Sequence, residues 1–259
     1  MRLLAFDLDG TLLEPGERIL PEAITALETA VEHGVILGTA SGRSLRDQIR
    51  ILSSNGLGAD VGYPQYLIVD ECRIYLLEGG SYVEMEEYNQ KVRVAWLEVF
   101  EQALELVKRE VSRLAAEGVR IEKVMSEQEA LERCLISIFF ENAIEAEREE
   151  RLLNSYLSTL NLLHCTRNYR ILTVMRSGFD KGSALNKVVQ YFKVPPSEVV
   201  AVGDSTNDLA MFDERYGFFA ATVQNAEDIV KRVVAARGGY IASKPRGAGV
   251  VELIRALLH

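Results

Sequence analysis

Short apolar runs alternate with segments of helical spacing at both ends of the chain. The runs are almost continuously apolar, as strands buried on both faces of a parallel sheet are. Strands are predicted at 2–6, 35–39, 66–69, 199–202 and 217–220. Helices are predicted at 21–33, 44–53, 181–192, 209–214, 226–236 and 249–258. This order predicts an α/β protein whose parallel sheet carries helices on both faces.

The middle of the chain follows a different pattern. Residues 92–116 place apolar residues along one stripe at helical spacing and are predicted as one long helix. After it, strands are predicted at 119–125 and 134–141, a helix at 143–160, and strands at 162–166 and 170–175. The order αββαββ predicts a small α+β unit, an open sheet with two helices on one face.

Two glycine-containing segments border this unit. They lie at 78–81 and 176–179 and are expected to act as hinges. We therefore expect a core domain formed by residues 1–81 and 176–259, interrupted by an inserted domain formed by residues 82–175.

Composition and charge exclude several classes of protein. Of the 259 residues, 48% are hydrophobic and 26% charged, which excludes a disordered chain. The formal net charge of −9 argues against a nucleic-acid-binding protein that uses a general basic surface, but it leaves open a small anionic substrate. We expect a small-molecule partner and a monomer or homodimer.

The location of the protein is predicted from its cysteines and its apolar runs. The three cysteines are far apart and show no metal-ligand spacing, which favours a reducing compartment: Cys72, Cys134 and Cys165. The apolar run before Asp7 is too short for a signal peptide, and other apolar runs fall short of the ~18 residues that span a bilayer. We expect a cytoplasmic protein that does not bind membranes.

Polar residues follow three of the predicted core strands. The first strand runs into residues 7–11, the second into 39–43 and another into 203–208. In open parallel sheets, ligands bind outside the carboxyl ends of the strands, near the point where the strand order reverses. The three clusters are therefore expected to form one site.

Four carboxylates in these clusters point to a cation. Asp7 and Asp9 are two residues apart in extended chain, so both side chains lie on one side. Asp204 and Asp208 are one helical turn apart and share a face, where they could also act as a helix cap and a first-turn acid. Crowded carboxylates need compensation, and an all-oxygen ligand set selects a hard ion such as Mg²⁺.

The same clusters contain donors for an anion. Ser41 and Lys181 offer a hydroxyl and an ammonium group, although Lys181 could also be an ordinary surface lysine. Residues 41–43 precede a predicted helix, whose free N–H groups favour an anion. Carboxylates, a divalent cation, a lysine and helix N-termini together indicate phosphoryl transfer.

Four motifs, in this order, resemble those of the haloacid dehalogenase (HAD) superfamily: DLDGTLL at 7–13, ASGR at 40–43, DKGSAL at 180–185 and GDSTND at 203–208. The insert is similar to the type IIB cap of that superfamily. The tail segments 220–230 and 239–254 resemble the Cof-type and sucrose-phosphatase-like branches. The resemblance implies a Rossmann-like parallel sheet core, the HAD fold, with an inserted α+β cap that closes over the substrate and reads its organic part.

The resemblance also implies roles for the acidic residues. Asp7 would be the nucleophile that forms an aspartyl-phosphate, and Asp9 would protonate the leaving alcohol and then activate water. Mg²⁺ would be held by the Asp7 carboxylate, the Asp9 backbone carbonyl and Asp204, with Asp208 bound to it directly or through another ligand.

Further residues would bind the phosphoryl group. The resemblance assigns the phosphoryl oxygens to Ser41 and Lys181, with Asn207 orienting this set, and Gly42 lies in the same segment. Arg43 is either a substrate contact or part of a structural ion pair. The chain departs from the family at 70–71, where many Cof-type members carry Asn-Gly and this chain has Asp-Glu. That departure leaves the substrate contacts near the hinge open.

The function predicted from these residues and from the resemblance is a Mg²⁺-dependent phosphatase of small phosphate monoesters. The resemblance to sucrose-phosphatase-like proteins makes sugar phosphates the first choice. A phosphosugar mutase of the same fold is an alternative, and it would need a second cationic pocket on the cap. Its candidate residues, which ordinary surface charge explains equally well, are Arg120, Lys123, Arg133, Arg167 and Arg170. A non-catalytic phosphometabolite-binding protein is a further alternative, which an intact pair of Asp7 and Asp9 disfavours.

Overall fold

A computed structural model describes residues 1–157 and 162–258 of the chain. The strands, in chain order, are β1 (Leu3–Phe6), β2 (Ile36–Ala40), β3 (Tyr66–Val69), β4 (Arg73–Glu78), β5 (Ser81–Glu84), β6 (Ile121–Val124), β7 (Leu135–Phe140), β8 (Leu163–Asn168), β9 (Ile171–Arg176), β10 (Val199–Val202), β11 (Phe219–Thr222) and β12 (Tyr240–Ile241). The α-helices are α1 (Pro21–Glu32), α2 (Leu45–Ser54), α3 (Glu86–Leu97), α4 (Phe100–Ala116), α5 (Glu127–Arg133), α6 (Ala143–Leu157), α7 (Lys181–Phe192), α8 (Asp228–Ala236) and α9 (Arg246–Leu257). The chain divides into two compact units, one formed by Met1–Met85 with Asp180–His259 and the other by Glu86–Phe179.

The first unit is built on an eight-stranded sheet with the order β12-β11-β10-β1-β2-β3-β4-β5. From β12 to β3 neighbouring strands are parallel, whereas β4 and β5 are added in antiparallel fashion. All residues of β1 and β3 are buried, as strands covered on both faces must be. The predicted α/β class with a parallel sheet core is confirmed.

Both edges of this sheet contain strands that the sequence pattern did not reveal. In β4 buried residues alternate with half-buried ones, and in β5 exposed residues alternate with half-buried ones, so neither forms a continuous apolar run. The segment 78–81, expected as a hinge, joins these two strands, and the two residues between them, Gly79 and Gly80, suit a tight hairpin turn. The strand β12 has only two residues, too few to show a pattern.

The second unit contains an antiparallel sheet with the order β6-β7-β9-β8. The helix expected over 92–116 is divided into α3 and α4, and the rings of Trp96 and Phe100 pack edge to face across the break at 5.8 Å. An additional short helix, α5, lies between β6 and β7 and begins with a capping box formed by Ser126 and Glu129. Of the helix expected over 143–160, α6 accounts for all but 158–160, which lie outside the described residues.

Two smaller findings complete the comparison with the expected elements. The short helix expected at 209–214 is a 3₁₀-helix at Thr206–Phe212, so it begins within the polar residues after β10 and includes Asn207 and Asp208. Among the residues that the structure describes, no helix is both long and apolar enough to cross a membrane.

Candidate active site

The sheet order brings the three polar clusters to one edge. The strand β1 lies between β10 and β2, with Leu3 opposite both Val199 and Ile36, so the carboxyl ends of the three strands are adjacent. Asp7 follows β1, Ser41 follows β2, and the segment 203–208 follows β10. The structure therefore brings together the three clusters that the sequence analysis assigned to one site.

Lys181 joins two of these carboxylates at the centre of the site. Its Nζ donates hydrogen bonds of 2.7 Å to Asp7 Oδ1 and of 2.7 Å to Asp208 Oδ1. It is the first residue of α7, and the side chain of Asp180 caps that helix by accepting from the backbone N–H of Ser183. All three charged side chains of the hydrogen-bonded group are buried, so their ion pairs are shielded from solvent.

Three carboxylates form a group that could hold a metal ion. Asp7, Asp204 and Asp208 each offer one carboxylate oxygen, and these oxygens lie within 4.8 Å of one another. Asp7 Oδ2 is buried and has no hydrogen-bond partner among the described residues. Because every donor is a hard oxygen and one buried carboxylate oxygen is unpartnered, this group fits a hard divalent cation such as Mg²⁺.

Backbone and hydroxyl groups hold the remaining oxygens of this cluster. Asp208 Oδ2 accepts from the backbone N–H groups of Asp204 at 2.8 Å and of Ser205 at 3.0 Å. Thr11 Oγ1 donates to Asp204 Oδ1 at 2.8 Å. Because both oxygens of Asp208 are engaged, its side chain holds Lys181 and the loop in place as well as lying beside the candidate metal position.

Burial makes the charges of the site depend on one another. Burial raises the pKa of Asp7 well above its usual value; Lys181 opposes the rise, and Asp208 and Asp204 add to it. Burial, together with Asp208, raises the pKa of Asp204 to about 7. Burial lowers the pKa of Lys181, but the neighbouring carboxylates outweigh it, so that this pKa lies well above the usual value. A bound cation would stabilise the charged forms of these carboxylates.

Arg43 binds the second aspartate of the first motif. Its Nε and Nη2 donate to the two carboxylate oxygens of Asp9, each at 2.7 Å, and its Nη1 donates to Glu17 at 2.7 Å. Glu17 also accepts from Arg50 at 2.8 Å. Arg43 thus forms ion pairs with Asp9 and Glu17 in the structure, and its role as a substrate contact stays a prediction.

The side chains expected to bind phosphate lie beside an unexpected carboxylate. Ser41 is buried, and its Oγ accepts from the backbone N–H of Arg43 at 3.3 Å. Asn207 Nδ2 donates to Glu71 Oε1 at 3.0 Å, and Asn207 Oδ1 has no partner among the described residues. Sequence reasoning assigned no role to Glu71, although the departure at 70–71 from the family pattern marked its position.

Two other residues of the site were also missed. Thr11 lies in the first motif but was given no role, and Asn225 Nδ2 donates to the backbone carbonyl of Gly10 at 2.8 Å. Asn225 accepts in turn from the backbone N–H of Arg246, so it connects the first motif to the start of α9. Such a contact, between residues 215 positions apart, has no signal in local sequence spacing.

Four of the five cations considered for a second phosphate pocket pair with glutamates: Arg120, Lys123, Arg167 and Arg170. Arg120 pairs with Glu141 at 3.2 Å and Arg170 pairs with Glu122. Arg167 is buried and donates to Glu150 at 3.0 Å. Lys123 lies 4.0 Å from Glu129. These pairs reduce the positive charge available for a second phosphate group.

A model of the family described as sucrose-6F-phosphate phosphohydrolase matches residues 1–257. The chain belongs to this family. A phosphoglycolate phosphatase from Methanothermobacter thermautotrophicus is 28% identical, over 100% of this chain and 99% of its own. The structure of a sucrose-phosphatase from Synechocystis sp. PCC6803, in complex with sucrose and phosphate, is 20% identical with a TM-score of 0.71 and covers 99% of this chain and 98% of that one. A HAD subclass IIB sugar phosphatase, BT4131, is 19% identical with a TM-score of 0.64, over 99% of this chain and 98% of that one.

Membership in this family agrees with the resemblance seen in the motifs. The predicted place in the HAD superfamily is confirmed, and the solved structures share the predicted HAD fold. The chain is a phosphoric monoester hydrolase of this superfamily.

Proposed function

We propose that the protein is a Mg²⁺-dependent phosphatase of small phosphate monoesters, with sugar phosphates as the preferred class, and that it acts through an aspartyl-phosphate at Asp7. The observation that carries the proposal is the buried group in which Lys181 donates to both Asp7 and Asp208, while Asp7 Oδ2 has no hydrogen-bond partner within the described part of the chain. A carboxylate held at one oxygen and free at the other suits a nucleophile. The names of the family and of the sucrose-phosphatase neighbour support a sugar phosphate.

In the first half-reaction Asp7 attacks phosphorus, and the bond from phosphorus to the ester oxygen breaks. Asp9 gives its proton to the leaving oxygen, which departs as an alcohol. In the second half-reaction a water molecule attacks phosphorus and gives a proton to Asp9, the bond between Asp7 and phosphorus breaks, and inorganic phosphate leaves. Arg43 donates to both oxygens of Asp9 in the structure, so one of these hydrogen bonds must open when that oxygen carries the proton, while the other keeps the carboxyl group oriented.

The remaining residues bind and neutralise the phosphoryl group. Ser41, Gly42, Lys181 and Asn207 are proposed to hold its oxygens. Lys181 bonds to Asp7, Gly42 and Asn207 lie with Lys181 against Glu71, and Ser41 follows the strand next to that of Asp7. Mg²⁺, when bound by Asp7, Asp204 and Asp208 together with the Asp9 backbone carbonyl, would supply charge neutralisation for the phosphoryl oxygens. We further propose that the inserted unit provides the residues that discriminate between substrates.

The test is phosphate release from sugar phosphates, phosphoglycolate, nucleotides and pyridoxal phosphate, with Mg²⁺ and with EDTA. We expect Mg²⁺-dependent release from a few sugar phosphates. Asp7→Asn should abolish it while the circular dichroism spectrum stays unchanged, because an amide is not a nucleophile. Asp9→Asn should slow it by about 10²–10⁴-fold, the usual contribution of general acid–base catalysis.

Three outcomes would contradict the proposal. Full activity in a clean preparation of Asp7→Asn would exclude the covalent route. Conversion between sugar 1- and 6-phosphates with little free phosphate would identify a mutase, and phosphate binding without turnover of any ester would favour a non-catalytic binding protein.

A further inference from the structure

The turn after β3 places an unusual residue beside the phosphoryl-binding side chains. Asp70 and Glu71 both have positive φ angles, 49° and 66°, in the left-handed region that non-glycine residues rarely adopt. The backbone N–H of Glu71 donates to the carbonyl of Ser41 at 3.2 Å, which ties this turn to the segment after β2. Backbone strain of this kind, held in place by a neighbouring segment, is concentrated at functional sites.

The Glu71 side chain contacts three of the residues that we assign to the phosphoryl group. It is only 4% exposed, its Oε1 accepts from Asn207 Nδ2 at 3.0 Å, and its Oε2 lies 3.9 Å from Lys181 Nζ. Its Oε1 also lies over Gly42, where a Cβ atom would collide with it. The carboxylate thus occupies space next to an amide, an ammonium group and a glycine.

These groups are the ones that an incoming phosphate needs. A carboxylate and a phosphoryl group take the same hydrogen-bond donors, and both form charge-assisted bonds with them. Asn207 Nδ2 is already engaged by Glu71, and Lys181 is already bonded to Asp7 and Asp208. Two anions close together in a buried site repel strongly, because the effective dielectric constant there is far below that of water.

We propose that Glu71 is an internal competitor for the phosphoryl-binding donors: its carboxylate holds Asn207 and faces Lys181 and Gly42, and a phosphate group must displace it. This inference rests on the proposed function in so far as that function assigns these three residues to the phosphoryl group. Competition weakens the binding of substrate and of inorganic phosphate alike, so Glu71 raises KM and limits inhibition by the product.

A purely structural role for Glu71 makes the opposite prediction. If the carboxylate served only to hold Asn207 in position for phosphate, removing its charge would leave phosphate binding unchanged or weaken it. A competitor, by contrast, gives tighter binding when its charge is removed. Tighter binding is therefore the result that separates the two roles.

The experiment measures the dissociation constant of inorganic phosphate by calorimetry on the full chain with Mg²⁺, and its inhibition constant against the best ester. Glu71→Gln removes the charge and keeps the shape, and Glu71→Gly suits the positive φ of this position. We expect both variants to bind phosphate at least about tenfold more tightly, and KM for the ester to fall by a similar factor, since unit charges about 4 Å apart interact strongly in a buried site.

The matched control is Asp70→Asn in the same turn. Asp70 is also buried with a positive φ, but its carboxylate pairs with Arg73, and asparagine tolerates the left-handed region. The phosphate affinity of the Asp70→Asn variant should stay within about twofold of that of the wild type. This is well short of the tenfold change expected for the Glu71 variants. Thermal melting shows whether each variant is folded, and if one Glu71 variant does not fold, the other decides.

Unchanged or weaker phosphate binding in the folded Glu71 variant would overturn the inference. The direct binding measurement needs no turnover, so its result is independent of the proposed function. Tighter phosphate binding in a protein that hydrolyses no ester would contradict the proposed function and leave the role of Glu71 intact.

Discussion

Gly10 is a residue of the first motif whose backbone lies directly against a candidate metal ligand, Asp204. Its φ is +79°, and a Cβ atom at this position would collide with Asp204 Oδ2. Any side chain here must move the Asp204 carboxylate as well as adopt a strained backbone. Position 10 therefore requires glycine for two reasons: the positive φ of the turn and the lack of space for a Cβ atom beside Asp204.

Replacing Gly10 should weaken metal binding. Gly10→Ala displaces Asp204, so we expect the affinity for Mg²⁺ to fall by at least about tenfold, the loss seen when groups that hold metal ligands are disturbed. Gly16→Ala is the matched control, because Gly16 has a φ of +80° and a Cβ atom there meets nothing within 4 Å. Both variants share the backbone strain of about 1–2 kcal/mol. Calorimetry with Mg²⁺ that shows equal affinities for the two variants would contradict this role of Gly10.

Arg43 should affect kcat through the two parallel hydrogen bonds that its guanidinium group donates to Asp9. Lysine keeps the charge but cannot make the two parallel hydrogen bonds, so Arg43→Lys should lower kcat by roughly 10- to 100-fold, part of the contribution of acid–base catalysis. Arg50→Lys is the control, since Arg50 is half-exposed and binds the other oxygen of Glu17. Its kcat should stay near that of the wild type. An equal loss of kcat in both variants would assign the effect to Glu17 and not to Asp9.

At the scale of the elements, the start of α7 decides where Lys181 lies. Asp180 caps the helix by accepting from Ser183 N–H at 2.7 Å, and Ser183 Oγ accepts from Asp180 N–H at 2.9 Å. A Cβ atom at Gly182 would collide with the backbone carbonyl of Ala210, so α7 packs directly against the 3₁₀-helix that carries Asp208. The two ends of the hydrogen bond from Lys181 to Asp208 are thus fixed by packed elements.

Removing the capping side chain of Asp180 should lower the free energy of unfolding, whereas replacing it with asparagine should change this free energy little. Asp180→Ala leaves N–H groups of the first turn without their acceptor, and we expect the free energy of unfolding to fall by about 1 kcal/mol. Asp180→Asn should retain most of the stability, because asparagine caps helices as well as aspartate does. Urea denaturation gives both values. Equal losses in the two variants would mean that the charge of Asp180, which lies 3.9 Å from Arg215, matters more than the cap.

The sequence predicted the elements whose signal is local and missed those that depend on neighbours. β1 and β3 are buried on both faces and therefore appear as apolar runs, whereas the residues of β4 and of β5 alternate in exposure. The break between α3 and α4 leaves the apolar spacing continuous, so the pattern predicted one helix. Motif spacing located Asp7, but nothing in it indicated that the side chain of Glu71 turns back toward Asn207.

At the scale of the whole molecule, the net charge of −9 is accompanied by a buried group of carboxylates with a single buried lysine at its centre. Without a cation, burial keeps the pKa of Asp204 at about 7 and that of Asp7 well above its usual value. The folded protein therefore holds protons on this group at pH values where the unfolded chain has lost them. Stability and metal binding are thereby linked to pH.

This linkage has a definite sign. A carboxyl group whose pKa is raised by folding contributes stability that is present below its unfolded pKa and is lost as the pH rises toward the folded value. For Asp204 that interval runs from its ordinary value of 3.8 to about 7. In EDTA the melting temperature should therefore fall between pH 5.5 and pH 7, with a loss of about 2 kcal/mol from this residue. Carboxylates whose pKa is lowered by folding, such as Glu17 with an ordinary value of 4.5, titrate below pH 5.5 and do not oppose the trend between pH 5.5 and pH 7.

Mg²⁺ should reverse this loss, because it binds the deprotonated carboxylates that burial disfavours. The rise in melting temperature on adding Mg²⁺ should be small at pH 5.5 and several degrees larger at pH 8. Asp204→Asn removes the titrating group, so in this variant the melting temperature in EDTA should depend less on pH and the effect of Mg²⁺ should shrink.

A melting temperature in EDTA that stays constant from pH 5.5 to pH 7, together with an equal effect of Mg²⁺ at both ends of the range, would show that these carboxylates are already charged in the folded protein. In that case Lys181 and the backbone N–H groups around Asp208 would be sufficient to compensate the charge, and the cation would serve the reaction without stabilising the fold.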